Sequence, residues 1–226
     1  MRHRRYPAAA LALLASTTWP AIAADWPEVP VPEGAKGEIV SDDMLYNGLH
    51  MRASRFTVPL PVDKVKAFYR EEWGRRMIDT PHRGKSVLGY PTRDAKHYIT
   101  VELTQAGNST QGQIGVMELP KKPPSADSIG AGFARMPDTT VAEDIVYLDT
   151  PARVRTISMV NRYSPQQNSD FYARNLAPKG YVREPAKTPC KTSSAECVTR
   201  YVNGDKRVTV SSSKSQAGTV VIAVIE

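Results

Sequence analysis

Val65-Lys66-Ala67-Phe68-Tyr69-Arg70-Glu71-Glu72-Trp73 (VKAFYREEW) is either an active-site helix crowded with charge or the apolar side of a helix laid on a sheet, and the choice decides the fold. Val65, Phe68, Tyr69 and Trp73 recur at helical spacing along one face, and Pro61 suits the first turn, where a missing N–H costs nothing. Lys64, Lys66, Arg70, Glu71 and Glu72 fall mostly on the other side, as a solvated face requires. A degenerate copy downstream settles the matter. There Phe171-Tyr172-Ala173-Arg174-Asn175-Leu176 keeps the aromatic pair and loses both carboxylates, which catalysis would have needed in each copy. Phe68 and Phe171 are therefore read as core anchors, with Tyr69 and Tyr172 partly at the edge.

The copy extends beyond the helix. Tyr90 corresponds to Tyr201, Asp94 to Asp205, and Ile99-Thr100-Val101 to Val208-Thr209-Val210, in order and with spacing kept. Each unit opens on a strand pair. In the first, Tyr46-Asn47-Gly48-Leu49 is a hairpin signal, since both central residues of a type I′ turn need positive φ. In the second, a looser turn at Asp149–Ala152 separates Ile145–Leu148 from Val154–Val160. Ser164-Pro165-Gln166-Gln167 is a capping box with proline at N1, and Gly180 lies just past that helix. Strands follow over His97–Leu103 and Gln113–Leu119 in one copy, and over Arg207–Ser211 and Thr219–Ile225 in the other.

The pattern predicts an α+β chain of two tandem similar units, 38–119 and 142–226. Each is expected to be an antiparallel sheet with one packed helix, in the order β-β-α-β-β-β and helix-grip-like. A Pro/Gly-rich linker, 120–141, joins them, and a proline-rich segment, 24–37, precedes them as a tether. In element order the units resemble the helix-grip domains in the C lipoprotein of the outer-membrane β-barrel assembly machinery. That resemblance implies a fold only, because one fold hosts many functions.

The N-terminus places Arg2, Arg4 and Arg5 before an apolar run, Ala8 to Ala15, and the small-residue site Ala21-Ile22-Ala23. This is the form of a signal peptide, 1–23, cleaved near Ala23 to leave a periplasmic or secreted protein. The Arg4-Arg5 pair suits twin-arginine export, whereas Tyr6-Pro7 and the strongly apolar run suit the general secretory route. No later run is long enough to span a bilayer, and no cysteine sits beside the cleavage site to carry a lipid. Cys190 and Cys197 are the only cysteines, and in an oxidising compartment they are expected to pair. Thirty Lys and Arg stand against 23 Asp and Glu, and removal of three signal-segment arginines leaves 27 against 23. That mild excess is short of the dense basic stripe of a nucleic-acid binder.

Glu71 and Glu72 are adjacent and diverge by about 100° on a helix, so they do not form an acid/base pair. His50, His82 and His97 lack metal-ligand spacing, and no phosphate loop or nucleophile elbow occurs. The expectation is a non-catalytic protein with no cofactor or metal. Basic residues do concentrate after the first helix, at Arg75, Arg76, Arg83, Lys85, Arg93 and Lys96, as a candidate contact for an envelope protein or an anionic surface polymer. The function expected is that of an accessory or assembly factor, and the alternative is a module that binds an anionic lipid or cell-wall polysaccharide. The alternative predicts a pocket between helix and sheet near Trp73 and Tyr90, while a partner binder should expose a strand edge or a flat apolar patch.

Overall fold

The computed structural model describes residues 26–82, 84–186 and 188–226, so the expected signal segment 1–23 and Arg83 lie outside the described residues. In the first half of the chain, β1 (Lys36–Tyr46) and β2 (Leu49–Val58) precede α1 (Val62–Trp73), followed by β3 (Ile78–His82), β4 (Lys85–Pro91), β5 (His97–Ala106) and β6 (Ser109–Glu118). In the second half, β7 (Thr140–Tyr147) and β8 (Val154–Asn161) precede α2 (Pro165–Leu176), followed by β9 (Val182–Arg183), β10 (Glu196–Asn203), β11 (Lys206–Ser215) and β12 (Gly218–Ile225). The β1–β2 turn has positive φ at Asn47 (51°) and Gly48 (81°), the conformation the Asn-Gly pair favours. Ser164 and Gln167 form the capping box of α2. Pro61 stands just before α1 rather than inside it, and the Gln105 side chain supplies the missing cap by accepting from Val62 N–H at 2.9 Å.

The expected fold class requires correction. The chain does not form two helix-grip-like α+β units; its described residues form one twelve-stranded sheet, ordered β3-β4-β5-β6-β2-β1-β7-β8-β12-β11-β10-β9, with two short α-helices. Every strand pairing is antiparallel. The physical reason is β1. Met44, Leu45 and Tyr46 pair with Tyr147, Val146 and Ile145, so two edges that separate units would leave open are joined in one ladder.

Register shows that both helices lie on the same face. Phe56, Leu88, Ile99, Val101, Ile114 and Val116 pack with Val65, Tyr69 and Trp73 of α1. On the other half, Ile157, Met159, Tyr201, Val208, Val210, Val221 and Ala223 pack with Tyr172 and Leu176 of α2. The two clusters are linked through the pairs Leu45–His50, Leu45–Val146, Val146–Arg155 and Arg155–Ile225, which keep one side of the pleat throughout. Within α1 the buried stripe is Val65, Tyr69, Trp73, at i, i+4 and i+8. This reverses the expected roles of the aromatic pairs: Tyr69 and Tyr172 are 0% and 1% exposed, while Phe68 and Phe171 are half-buried at the margin. Adjacent helical residues diverge by about 100°, and the i, i+4 stripe selects the tyrosines.

The remaining segments cover the same face. Trp26, Val29 and Ala35 of the proline-rich segment pack on the first cluster, and Trp26 Nε1 donates to Asp42 O at 3.0 Å. The segment between β6 and β7 is pinned where Gly130 N–H donates to the Asp144 carboxylate at 2.7 Å and Arg155 donates to Ala131 O at 3.0 Å. Phe133 stacks on Tyr172 with centroids 5.4 Å apart. Cys190 and Cys197 form a disulfide, with Cα atoms 5.4 Å apart, that ties the β9–β10 segment to β10.

Candidate functional site

The aromatic groups beside α1 pack against one another. Trp73 stacks on Tyr90 at 4.9 Å and 15°, and the Arg76 guanidinium lies over the Tyr90 ring, 5.7 Å from its centroid. Tyr69 closes the stack from within, 4.6 Å from Trp73. This is an aromatic core capped by a cation.

Groups with displaced pKa values are likewise dispersed. Burial pushes Tyr69, Tyr172 and Tyr201 upward, and all three sit in the core between a helix and the sheet. Burial alone would raise Asp144, but the Arg155 guanidinium and Gly130 N–H bind its carboxylate and hold it below the usual range. Arg155 reaches Asp144 through Nε at 2.8 Å and a terminal nitrogen at 2.7 Å, so this bidentate pair anchors the β6–β7 segment. Asp94 is lowered by the Thr92 hydroxyl and by Lys96 N–H within its own turn. No group of three or more His, Cys, Asp or Glu that could hold a metal occurs among the described residues.

A cleft of about 310 Å³ opens beneath the proline-rich segment, walled by Val29, Val31, Phe56, Ile114 and Val116. Its cations are already paired. Arg52 Nε stands 3.2 Å from Asp42 Oδ1, without hydrogen-bond alignment, and Arg55 pairs with Glu38.

The structure divides the basic residues singled out from the sequence. Arg76 donates to Thr92 O at 3.0 Å, which docks the turn Gly74–Arg76 on the β4–β5 turn and brings Arg75, Arg76, Arg93 and Lys96 to one end of the sheet. Lys85 starts β4, seven residues from Thr92 and so roughly 20 Å away, and its ammonium pairs with Glu102 at 2.5 Å. Leu119 N–H donates to Lys96 O at 2.7 Å, so the chain that carries Lys121 and Lys122 leaves β6 at this same end of the sheet. Sequence reading missed these two lysines because they fall in a segment taken for a linker.

The other face of the sheet carries neither helix. Across seven strands, register aligns Pro91, Tyr98, Met117, Met51, Met44, Tyr147 and Val154 in one transverse row. The backbone beneath is kept low where side chains lie across it. A Cβ at Gly89 would stand 2.1 Å from the Tyr98 hydroxyl, and one at Gly115 would stand 2.5 Å from the Met51 methyl. The row was invisible in the sequence, since its members come from seven separate strands.

Known protein families, curated proteins and solved structures show no match to this chain.

Proposed function

We propose that this is an exported, non-catalytic protein of the envelope that acts by binding, as an accessory or assembly factor whose helix-free sheet face meets another envelope protein. The carrying observation is the transverse row from Pro91 to Val154. Helices and connecting segments gather on one side of the sheet, while four methionine or tyrosine side chains, Tyr98, Met117, Met51 and Tyr147, lie half-buried on the other. Methionine and tyrosine adapt to a partner surface at low cost, and contiguous apolar side chains on a sheet mark an interaction site. The scatter of displaced pKa values through the core, rather than in a cleft, supports binding over catalysis.

Export rests on the basic, apolar and small-residue order of residues 1–23. The Cys190–Cys197 disulfide is compatible with an extracytoplasmic protein, and among the described residues no helix is long and apolar enough to cross a membrane. A common origin for the two halves is part of the proposal. From the centre outward the strands run β1-β2-β6-β5-β4-β3 on one side and β7-β8-β12-β11-β10-β9 on the other.

The test is co-purification from the native envelope with Met51→Glu and Met117→Glu on the row, against Ile222→Glu on the same face of the second half. The proposal expects a defined protein partner with the unaltered chain and the control, and its loss from both row variants at unchanged melting temperature. Equal recovery from all three variants would refute it.

A further inference from the structure

We infer a second contact, with an anionic bilayer surface, at the end of the sheet where β4 stops, β5 starts and β6 stops. This contact stands whether or not the helix-free face meets a protein. Three segments converge there: the turn Gly74–Arg76, the β4–β5 turn and the chain leaving β6, joined by Arg76 to Thr92 O and by Leu119 N–H to Lys96 O. They bring Arg75, Arg76, Arg93, Lys96, Lys121 and Lys122 to one end, all exposed. The acidic residues on the same segments are Asp94 and Glu118. Asp94 is already engaged, accepting from the Thr92 hydroxyl at 2.7 Å and from Lys96 N–H at 3.1 Å.

The cations are partly preorganised. Arg76 is fixed by Thr92 O and by the Tyr90 ring, which leaves its other N–H groups for an anion. Positive charge alone would suit any polyanion. Leu119 narrows the choice: it is 43% exposed and stands between Lys96, which its N–H contacts, and Lys121, two residues on. An aliphatic side chain among cations gains nothing from a soluble polyanion, whereas at a bilayer it enters the headgroup region while the lysines reach phosphates. Ile78, 53% exposed and two residues after Arg76, adds a second such group.

Sedimentation of the purified, disulfide-intact protein with vesicles tests this. Phosphatidylglycerol-containing vesicles should bind it at least about tenfold better than phosphatidylcholine vesicles at low salt, and high salt should abolish the difference. Arg93→Glu with Lys96→Glu should lose the preference, and Leu119→Ser should weaken binding several-fold at an unchanged melting temperature. Equal binding to the two vesicle types, or a charge-reversed variant that still prefers phosphatidylglycerol, would overturn the inference. Full competition by inorganic polyphosphate, together with unweakened binding by Leu119→Ser, would also overturn it in favour of a soluble polyanion.

Discussion

The first and second halves of the sheet share one register beneath their helices and differ almost everywhere else. Tyr90 pairs with Ile99 and Tyr201 with Val208; one position further in, Leu88 pairs with Val101 and Thr199 with Val210. Each helix is followed by a 3-10 turn tied to a later strand–strand turn, β4–β5 by Arg76 to Thr92 O in one half and β10–β11 by Asn203 to Lys179 O, at 3.1 Å, in the other. The fillings diverge. Where α1 buries Val65, α2 buries Asn168, whose amide is paired with Asn161 at 2.8 Å and 3.2 Å. On the helix-free face the first half offers Tyr98, Met117 and Met51 beside the buried Met44, while the second offers Thr156, Ser158, Thr209 and Ser211 beside Ile222 and Val198. The comparison separates a helix-covered layer that maintains the fold from the helix-free layer and basic end of the first half, to which the proposed contacts are assigned.

The deepest shared contact gives the largest expected effect. Tyr69→Ala and Tyr172→Ala should each cost about 3–5 kcal/mol in urea unfolding, because both rings are fully buried and leave a cavity. A small loss at either position would break the equivalence of the two helices. The disulfide belongs to the second half alone, and Cys190→Ser with Cys197→Ser should cost about 2.5 kcal/mol, read as a lower melting temperature. A smaller, pH-dependent effect is expected where the β6–β7 segment is pinned. Asp144 is held below its ordinary value of 3.8, so its contribution is present above that pH and is lost as pH falls through the lower folded value. The protection of the Gly130 amide, taken relative to its intrinsic exchange rate at each pH, should therefore fall under acid, and an equal fall at the same pH in Asp144→Asn would dissociate it from that carboxylate. The smallest effect separates the tyrosines themselves. The Tyr69 hydroxyl is buried without a hydrogen-bond partner, so Tyr69→Phe should be neutral or slightly stabilising, whereas Tyr201→Phe should lose about 1 kcal/mol with its bond to Ser169 O.

The elements themselves were readable from the sequence because their signals are local. The Asn47-Gly48 turn, the Ser164–Gln167 capping box and the alternating runs of β5 and β11 each lie within about ten residues. The joining of β1 to β7 was not readable. It depends on Met44–Tyr46 meeting Ile145–Tyr147 about 100 residues away, and no local pattern distinguishes two apolar edges that meet from two that remain apart. The same limit applies to the basic residues. Their charge was visible, but the pairing of Lys85 with Glu102 and the bond from Leu119 N–H to Lys96 O, which sets the chain carrying Lys121 and Lys122 at the same end, are consequences of the sheet.

Photo-crosslinking in the native envelope tests whether the helix-free face of the first half is a binding surface. A benzophenone side chain would replace Tyr98 or Met117 in turn, with Ser158 and Ser211 as positions on the same face of the second half. One discrete protein adduct is expected from Tyr98 and Met117 and none from Ser158 and Ser211. Adducts from the second-half positions alone, or none at any position while the protein co-purifies with a partner, would contradict it.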